Sequence, residues 1–314
     1  MTAKGNGMKR ATHRWMRPLV GRIWIPLATL ALFCITPRAG GDNTADLPVR
    51  VSEIPKVLFV VERNANMEEP WYGITGMPSR WEVVQEAIIA AINSSPTEME
   101  FAVVGSSSPS NHWKRVGSFD HSSHFVANAV EDEEAAISYS YLASTYAYTV
   151  SNYLSLSDTA ATEWDRAPFR ESCSEIDVIV IGDELGGIED NDTYNWPPTG
   201  DNTFTGDVFL TVNAADESDQ TFLDDVAFYA ANYDLTAGHA GSQTVRTHTI
   251  LVDADTVADL DAEALFESAA GVGGGIYTRA AHPDDVAIGI SLAITDKIRS
   301  LTGITSSFTS ATGH

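Results

Sequence analysis

The sequence predicts an α/β domain with a doubly wound, mainly parallel sheet flanked by helices. Short apolar runs rich in valine and isoleucine alternate with segments of helical periodicity, which is typical of parallel strands joined by crossover helices. Of the 314 residues, 44% are hydrophobic and 23 are glycines, so the chain can bury a core and form turns. This length fits one large domain with a processed amino-terminal end.

The first predicted strand is the run VLFVV at residues 57–61, which follows Pro55. Every side chain in this run is apolar, as expected of a central strand that is covered on both faces. Four more strands are predicted at residues 101–104, 176–181, 245–252 and, as a short strand, from residue 276.

Helices are predicted between these strands. Residues 79–92 place five apolar side chains on one helical face, and residues 131–154 begin with acidic residues where the helix dipole favours them. The predicted helices cover residues 79–92, 131–154, 222–233, 258–270 and 283–301. The predicted loops are a Ser- and His-rich segment at 105–123, an acidic segment at 184–219 and a glycine-rich helix stop at 271–275.

The amino-terminal residues 1–40 hold seven of the 19 basic residues and none of the 43 acidic ones. A basic stretch followed by the 13-residue apolar run 23–35 has the layout of a secretory signal and is too short to cross a bilayer comfortably. We therefore expect a signal peptide at 1–40, a linker at 41–53, the domain at 54–302 and a tail at 303–314. An uncleaved anchor or a buried helix is the alternative.

The composition excludes several classes of partner and site. A net charge of −24 disfavours nucleic acid, because binding a phosphate backbone requires clustered Lys and Arg. Cys34 and Cys173 are the two cysteines, too few for a four-thiolate zinc site or a disulfide scaffold. We expect an exported protein of the periplasm or cell surface, with no transmembrane span in its mature chain.

Polar residues cluster after two of the predicted strands. Glu62, Asn64 and Asn66 alternate directly after the first strand, and Asp183 follows the strand at 176–181. Ligands of open parallel sheets bind outside the carboxyl ends of the strands. Carboxylate and amide oxygens suit a hard cation, so these residues predict a Ca²⁺ or Mg²⁺ site.

The strand at 57–61 and the following loop resemble the opening of von Willebrand factor type A domains, where an apolar strand precedes D-x-S-x-S-M. The resemblance implies a Rossmann-like fold and a metal-ion-dependent adhesion site. Glu62 then stands at the Asp, Asn64 and Asn66 at the two Ser, and Asp183 at a later Asp ligand. Ser140, in the run YSYLA, is the counterpart of a Thr ligand.

Segments of the second half are similar to the amino-terminal domains of PilY-like proteins, which are assembly factors and tip adhesins of type IV pili. These segments are LDDVA at 223–227, THTI at 247–250, GGGIY at 273–277 and residues 280–298. Such proteins usually continue into a β-propeller, whereas this sequence stops at His314. The resemblance implies a pilus-associated location and a protein partner, such as a pilus component or a surface ligand.

The departures from the family pattern fall on the metal residues. Glu62 is longer than Asp, amides replace two hydroxyls, and Gly182 and Glu184 replace Thr and Gly. These changes favour Ca²⁺, with its looser geometry, at least as much as Mg²⁺. The alternative is a degenerate site without a metal.

Three functions follow from these observations. We expect a non-enzymatic adhesion or pilus-assembly domain that binds at the carboxyl edge of its sheet, with or without a cation. The first alternative is a metal-independent scaffold domain. The second is a secreted metal-dependent hydrolase that uses Asp183 with Glu184, or His121 with His124, although no G-x-S-x-G or H-E-x-x-H motif is present.

Overall fold

A computed structural model describes the fold between residues 54 and 302. The described residues are 54–96, 98–106, 113–119, 121–133, 142–155, 168–169, 174–183, 223–236, 242–252 and 260–302. The predicted signal peptide, linker, acidic loop and tail lie outside these residues, and the boundaries expected for them stay predictions.

Six described strands form one sheet. They are β1 (Lys56–Val61), β2 (Glu100–Ser106), β3 (Trp113–Gly117), β4 (Glu175–Gly182), β5 (Thr244–Val252) and β6 (Gly274–Ala280). The strand order is β3-β2-β1-β4-β5-β6, and every neighbouring pair is parallel except β2 and β3. This arrangement confirms the predicted doubly wound, mainly parallel sheet.

Helices connect and cover the strands. They are α1 (Arg80–Ser94), α2 (Ser123–Glu131), α3 (Leu142–Tyr148), α4 (Leu223–Asn232), α5 (Leu260–Val272) and α6 (Pro283–Thr302). A π-helical turn, Thr149–Leu154, continues α3, and two short 3-10 helices, Asn66–Glu68 and Trp71–Gly73, follow β1.

The core lies on both faces of the sheet because side chains alternate along each strand. Val57, Phe59 and Val61 of β1 pack into one apolar cluster with α1, α2 and α6. Leu58 and Val60 pack into the other cluster, with α3, α4 and α5. Burial of β1 on both faces explains why its sequence is an uninterrupted apolar run.

Between β2 and β4, the sequence prediction was right about helix at residues 142–154 and wrong about residues 113–133. Glu131 ends α2 and does not begin a long helix, and the predicted loop at 105–123 contains β3. Ser122 caps α2 by accepting a hydrogen bond from the Phe125 amide at 3.3 Å. β3 has the polar sequence WKRVG and pairs antiparallel with β2 at the sheet edge, so it lacks the apolar signal of a central strand.

No helix within the described ranges is both long enough and apolar enough to cross a membrane.

A buried charged network connects the amino-terminal part of β4 with the middle of β5. Asp177 Oδ2 lies 3.1 Å from His248 Nε2, and its Oδ1 lies 3.1 Å from Lys297 Nζ. His248 Nδ1 accepts the Ile276 amide hydrogen at 3.1 Å, so Nε2 carries the proton that is donated to Asp177. This network joins α6 to two central strands.

The charges around Asp177 shift its titration. Burial alone would raise the pKa of Asp177, but the His248 hydrogen bond and the positive charges of Lys297 and Arg246 hold it below its usual value. A carboxyl whose folded pKa is lowered contributes stability above its unfolded pKa, about 4, and loses it as the pH falls through the folded pKa.

We therefore expect the free energy of unfolding of the wild type to fall more steeply between about pH 5 and pH 2 than that of Asp177→Asn. Urea unfolding at several pH values measures this difference. Glu86→Gln, at an exposed position of α1, is the control and should keep the wild-type slope. Equal slopes for wild type and Asp177→Asn would contradict the assignment.

The glycine-rich segment after α5 brings β6 very close to β5. Gly274 has a φ of +70°, a left-handed conformation that favours glycine. A Cβ at Gly275 would overlap the Thr247 carbonyl, and the β5–β6 register shifts between Thr247 and Thr249. This geometry agrees with the predicted helix stop and tight turn.

Gly275→Ala should lower the free energy of unfolding by about 3 kcal/mol, because the backbone of β5 cannot move away without breaking the sheet. Gly271→Ala is the matched control, since a Cβ there meets no atom within 4 Å. It should leave stability unchanged or raise it by up to about 1 kcal/mol. Urea denaturation of both variants measures the difference, and equal losses would refute the close-approach explanation.

Candidate functional site

The candidate site lies where β1 and β4 end side by side. β1 is the switch point of the sheet, because β2 pairs on one side of it and β4 on the other. Glu62 follows β1, and its amide donates to the Ile181 carbonyl at 2.8 Å, which extends the pairing with β4 by one residue. Parallel pairing thus places Glu62 and Asp183 at the same edge.

Glu62 is fully buried, and its carboxylate binds the start of the loop after β4. Glu62 Oε2 accepts the Asp183 amide hydrogen at 2.9 Å. A Cβ at position 182 would lie 2.5 Å from that same oxygen, so Gly182 makes room for the carboxylate. Two departures from the family pattern therefore fit together, because the longer Glu62 side chain occupies space that a side chain at position 182 would need.

Asn64 bridges the two carboxylates through its nitrogen. Asn64 Nδ2 donates to Glu62 Oε1 at 3.1 Å and to Asp183 Oδ1 at 3.2 Å. Its oxygen Oδ1 accepts the Met67 amide hydrogen at 2.9 Å. Both ends of the amide are thus used, and the Met67 contact fixes which end faces the carboxylates.

The guanidinium of Arg80 completes the cluster. Arg80 Nη1 donates to Asp183 Oδ2 at 2.7 Å, and both side chains are buried. Arg80 is the first residue of α1, which Ser79 and Glu82 cap reciprocally through side-chain and backbone contacts. The ion pair therefore connects the start of α1 to the end of β4.

Burial raises the pKa of Asp183, while the hydrogen bonds and charge of Arg80 and the hydrogen bond from Asn64 oppose this rise. The cause of the rise is that the Asp183 side chain is inaccessible to solvent. A carboxylate in such surroundings depends on its partners, because an isolated buried charge is costly.

Arg63 extends the polar region toward β2. Its amide donates to Ser106 Oγ at 2.7 Å, and its Nη2 lies 2.8 Å from Glu133 Oε2. The guanidinium also lies 5.8 Å from the centre of the Trp81 ring, within cation–π range. Burial lowers the pKa of Arg63, and the charge of Glu133 opposes that change.

The structure brings together Glu62, Asn64 and Asp183, three of the five predicted ligands. Asn66 begins the first 3-10 helix, and no hydrogen bond among the described residues joins its side chain to the cluster. Ser140 lies outside the described residues. The sequence analysis missed Arg80, although a basic residue in the first turn of a helix opposes the helix dipole and so signals a specific partner.

The side chains as placed do not fit a bound Ca²⁺ or Mg²⁺. Such ions take oxygen ligands, whereas Asn64 presents its nitrogen to both carboxylates. Asp183 Oδ2 accepts a hydrogen bond from Arg80 Nη1, so this oxygen is not available to coordinate a cation. Within the described ranges no three His, Cys, Asp or Glu side chains form a metal-binding group.

The two histidines of the hydrolase alternative have separate surroundings. His121 packs against Phe125 with ring centres 4.2 Å apart, and its Nδ1 lies 3.4 Å from Ser118 Oγ. His124 Nε2 instead lies 3.3 Å from Asn128 Nδ2 on the exposed side of α2. Glu184, the other residue of that alternative, lies outside the described residues.

The segment between β1 and α1, residues 65–79, is called the rim, and it contacts the cluster residues Asn64 and Arg80. Trp71 Nε1 and the Tyr72 hydroxyl donate to the Ala281 carbonyl at 3.3 and 2.7 Å, so the rim is fastened to the end of β6. Beyond this attachment, Ile74 is 54% exposed and Met77 37% exposed. The rim therefore presents apolar side chains at its tip while its base is held.

Comparison of the fold with solved structures agrees with this topology. A variant of the PilB minor pilin from Streptococcus sanguinis has a TM-score of 0.54 at 12% identity, over 82% of this chain and 65% of that chain. The PilB minor pilin itself gives 0.51 at 11% identity, over 82% and 64%. The chain shares with these two structures a fold in which helices flank a mainly parallel sheet.

A von Willebrand factor type A protein from Catenulispora acidiphila also matches, with a TM-score of 0.44 at 13% identity, over 79% of this chain and 42% of that one. The chain spans just under two thirds of the length of each of the two PilB structures. No protein-family model matches the sequence, and no curated protein matches it significantly. At these identities the similarity to the PilB structures establishes the fold alone.

Arg80→Met should lower the free energy of unfolding by about 3–5 kcal/mol, because it leaves Asp183 buried without its guanidinium. Arg279→Met is the matched control. Arg279 pairs with Glu263 at 3.5 Å and is exposed, so its loss should cost at most about 1 kcal/mol. Equal losses of unfolding free energy in the two variants would contradict the expectation that the buried ion pair contributes more stability than the exposed one. Urea denaturation measures both losses.

Proposed function

We propose that the chain is an exported, non-enzymatic adhesion or pilus-assembly domain that binds a protein partner at the carboxyl edge of its sheet. The observation that carries this proposal is the rim at 65–79, whose apolar tip is exposed while its base is fixed. Ligands of open α/β sheets bind at this edge, next to the switch point of strand order.

The composition of the rim supports a protein partner. Ile74 and Met77 offer apolar contact area, and the exposed carboxylates of Glu68 and Glu69 lie at the start of the same segment. An apolar centre with a polar border is typical of protein interfaces. Because Trp71, Tyr72 and Arg80 hold the base of the rim, binding would cost little ordering of the backbone.

The adhesion or pilus role also draws on the type A fold and on the PilY-like segments of the sequence. The basic and apolar stretch within residues 1–40 supports export. The fold is shared with the PilB minor pilin, whose name describes a pilus protein. The hydrolase remains an alternative that no contact among the described residues favours.

Binding of the purified full chain to a panel of surfaces tests the proposal. The panel consists of purified pilin subunits, collagen, fibronectin and fibrinogen, and binding is measured by biolayer interferometry. We expect Ile74→Asp and Met77→Asp to weaken the observed binding at least about tenfold, as expected for central interface residues.

Ile288→Asp and Leu292→Asp are the matched controls. These residues are 52% and 48% exposed on α6, so they test the loss of an exposed apolar side chain away from the rim. The controls should keep wild-type affinity. Equal weakening in rim and control variants would contradict the rim as the binding surface, and hydrolysis of an ester, phosphate or peptide panel by the wild type would contradict the non-enzymatic role.

A further inference from the structure

We propose that the guanidinium of Arg80 takes the place of the metal ion in this type A domain, so that the site is cation-independent. The inference concerns the interior of the site and does not depend on the identity of the partner. It rests on the disagreement between the predicted cation site and the contacts that its residues make.

The first support is the position of the positive charge. Arg80 Nη1 lies 2.7 Å from Asp183 Oδ2, and Asp183 is linked through Asn64 to Glu62. One guanidinium thus sits in the carboxylate cluster that the sequence assigned to a divalent cation. Arginine suits this role, because its charge is permanent and its planar donors match carboxylate geometry.

The second support is the direction of the amide. An ion shared by Glu62 and Asp183 would require Asn64 to turn its oxygen toward them. That turn would break the hydrogen bond between Asn64 Oδ1 and the Met67 amide, at 2.9 Å, and would place the Asn64 nitrogen against that amide hydrogen. Two donors would then face each other in a buried setting, which is costly.

The third support is burial. The side chains of Glu62, Asn64, Arg80 and Asp183 are all nearly inaccessible. A cation that completes its shell with a partner's oxygen needs an open coordination position, whereas this cluster is closed by its own residues. Binding at the rim would therefore use its exposed side chains and not a shared ion.

The test compares the melting temperature of the full chain in a chelator with that in millimolar CaCl₂ or MgCl₂. Because the chain is strongly acidic, ions can also bind elsewhere, so the quantity of interest is the difference from Asp183→Asn. We expect the cation-induced shift in melting temperature to be the same for the wild type and Asp183→Asn. A larger shift in the wild type would overturn the proposal.

Arg80→Met provides the converse test, since methionine keeps the apolar stem and removes the guanidinium. Two buried carboxylates without a nearby guanidinium attract a cation more strongly than the Asn64–Met67 hydrogen bond opposes it, so this variant should gain a Ca²⁺-dependent rise in melting temperature of about 5 °C. The double variant Arg80→Met with Asp183→Asn should lack this gain, and so should Arg279→Met. A folded Arg80→Met that gains no more than the double variant would overturn the proposal.

Should Arg80→Met fail to fold with or without Ca²⁺, calorimetric titration of the wild type and Asp183→Asn with CaCl₂ decides. Identical isotherms support the proposal, and a binding event present in the wild type alone refutes it. No partner protein enters any of these measurements, so their outcome is independent of whether the rim binds one.

Discussion

The need to pair charge that is removed from water organises the carboxyl edge of this domain. Asp183 is buried at the end of β4, and it is stabilised by Arg80 from α1 and by Asn64 from the loop after β1. Two segments, 103 and 119 residues away in the sequence, are thereby fixed to one carboxylate. The rim between β1 and α1 takes its position from these contacts and from its attachment to the end of β6.

A second buried carboxylate, Asp177 toward the amino-terminal end of β4, is also paired with charged or polar side chains. There, Asp177 is paired with His248 and Lys297, and Lys297 Nζ also donates to the Glu175 carbonyl at 2.6 Å. Between these two charged ends, β1 and β4 are apolar on both faces. The strands therefore gain stability from hydrophobic burial along their length, while polar contacts at their ends connect them to specific helices.

Sequence reasoning predicted most of the sheet because its central strands are short apolar runs between helices, a pattern that the physics of burial imposes. It missed β3, because the polar residues of an edge strand lack the apolar signal of a central one. It also missed α2, because the short apolar stripe of this helix begins in a segment rich in serine and histidine. At the site it identified Glu62, Asn64 and Asp183 because they directly follow strands. Arg80 was not identified because its position in the first turn of a helix indicates only that a partner exists, and that partner, Asp183, is 103 residues away in the sequence.

Because the rim is attached at both ends, the residues that hold it in the fold differ from those that it exposes at its tip. Trp71, Tyr72 and Arg80 serve folding, and each is held by contacts that a substitution would break. The tip at 74–77 lies outside those contacts, and its two large side chains face solvent. Substitution of those two side chains would cost the fold little, so they can change and give a new binding specificity while the scaffold stays unchanged.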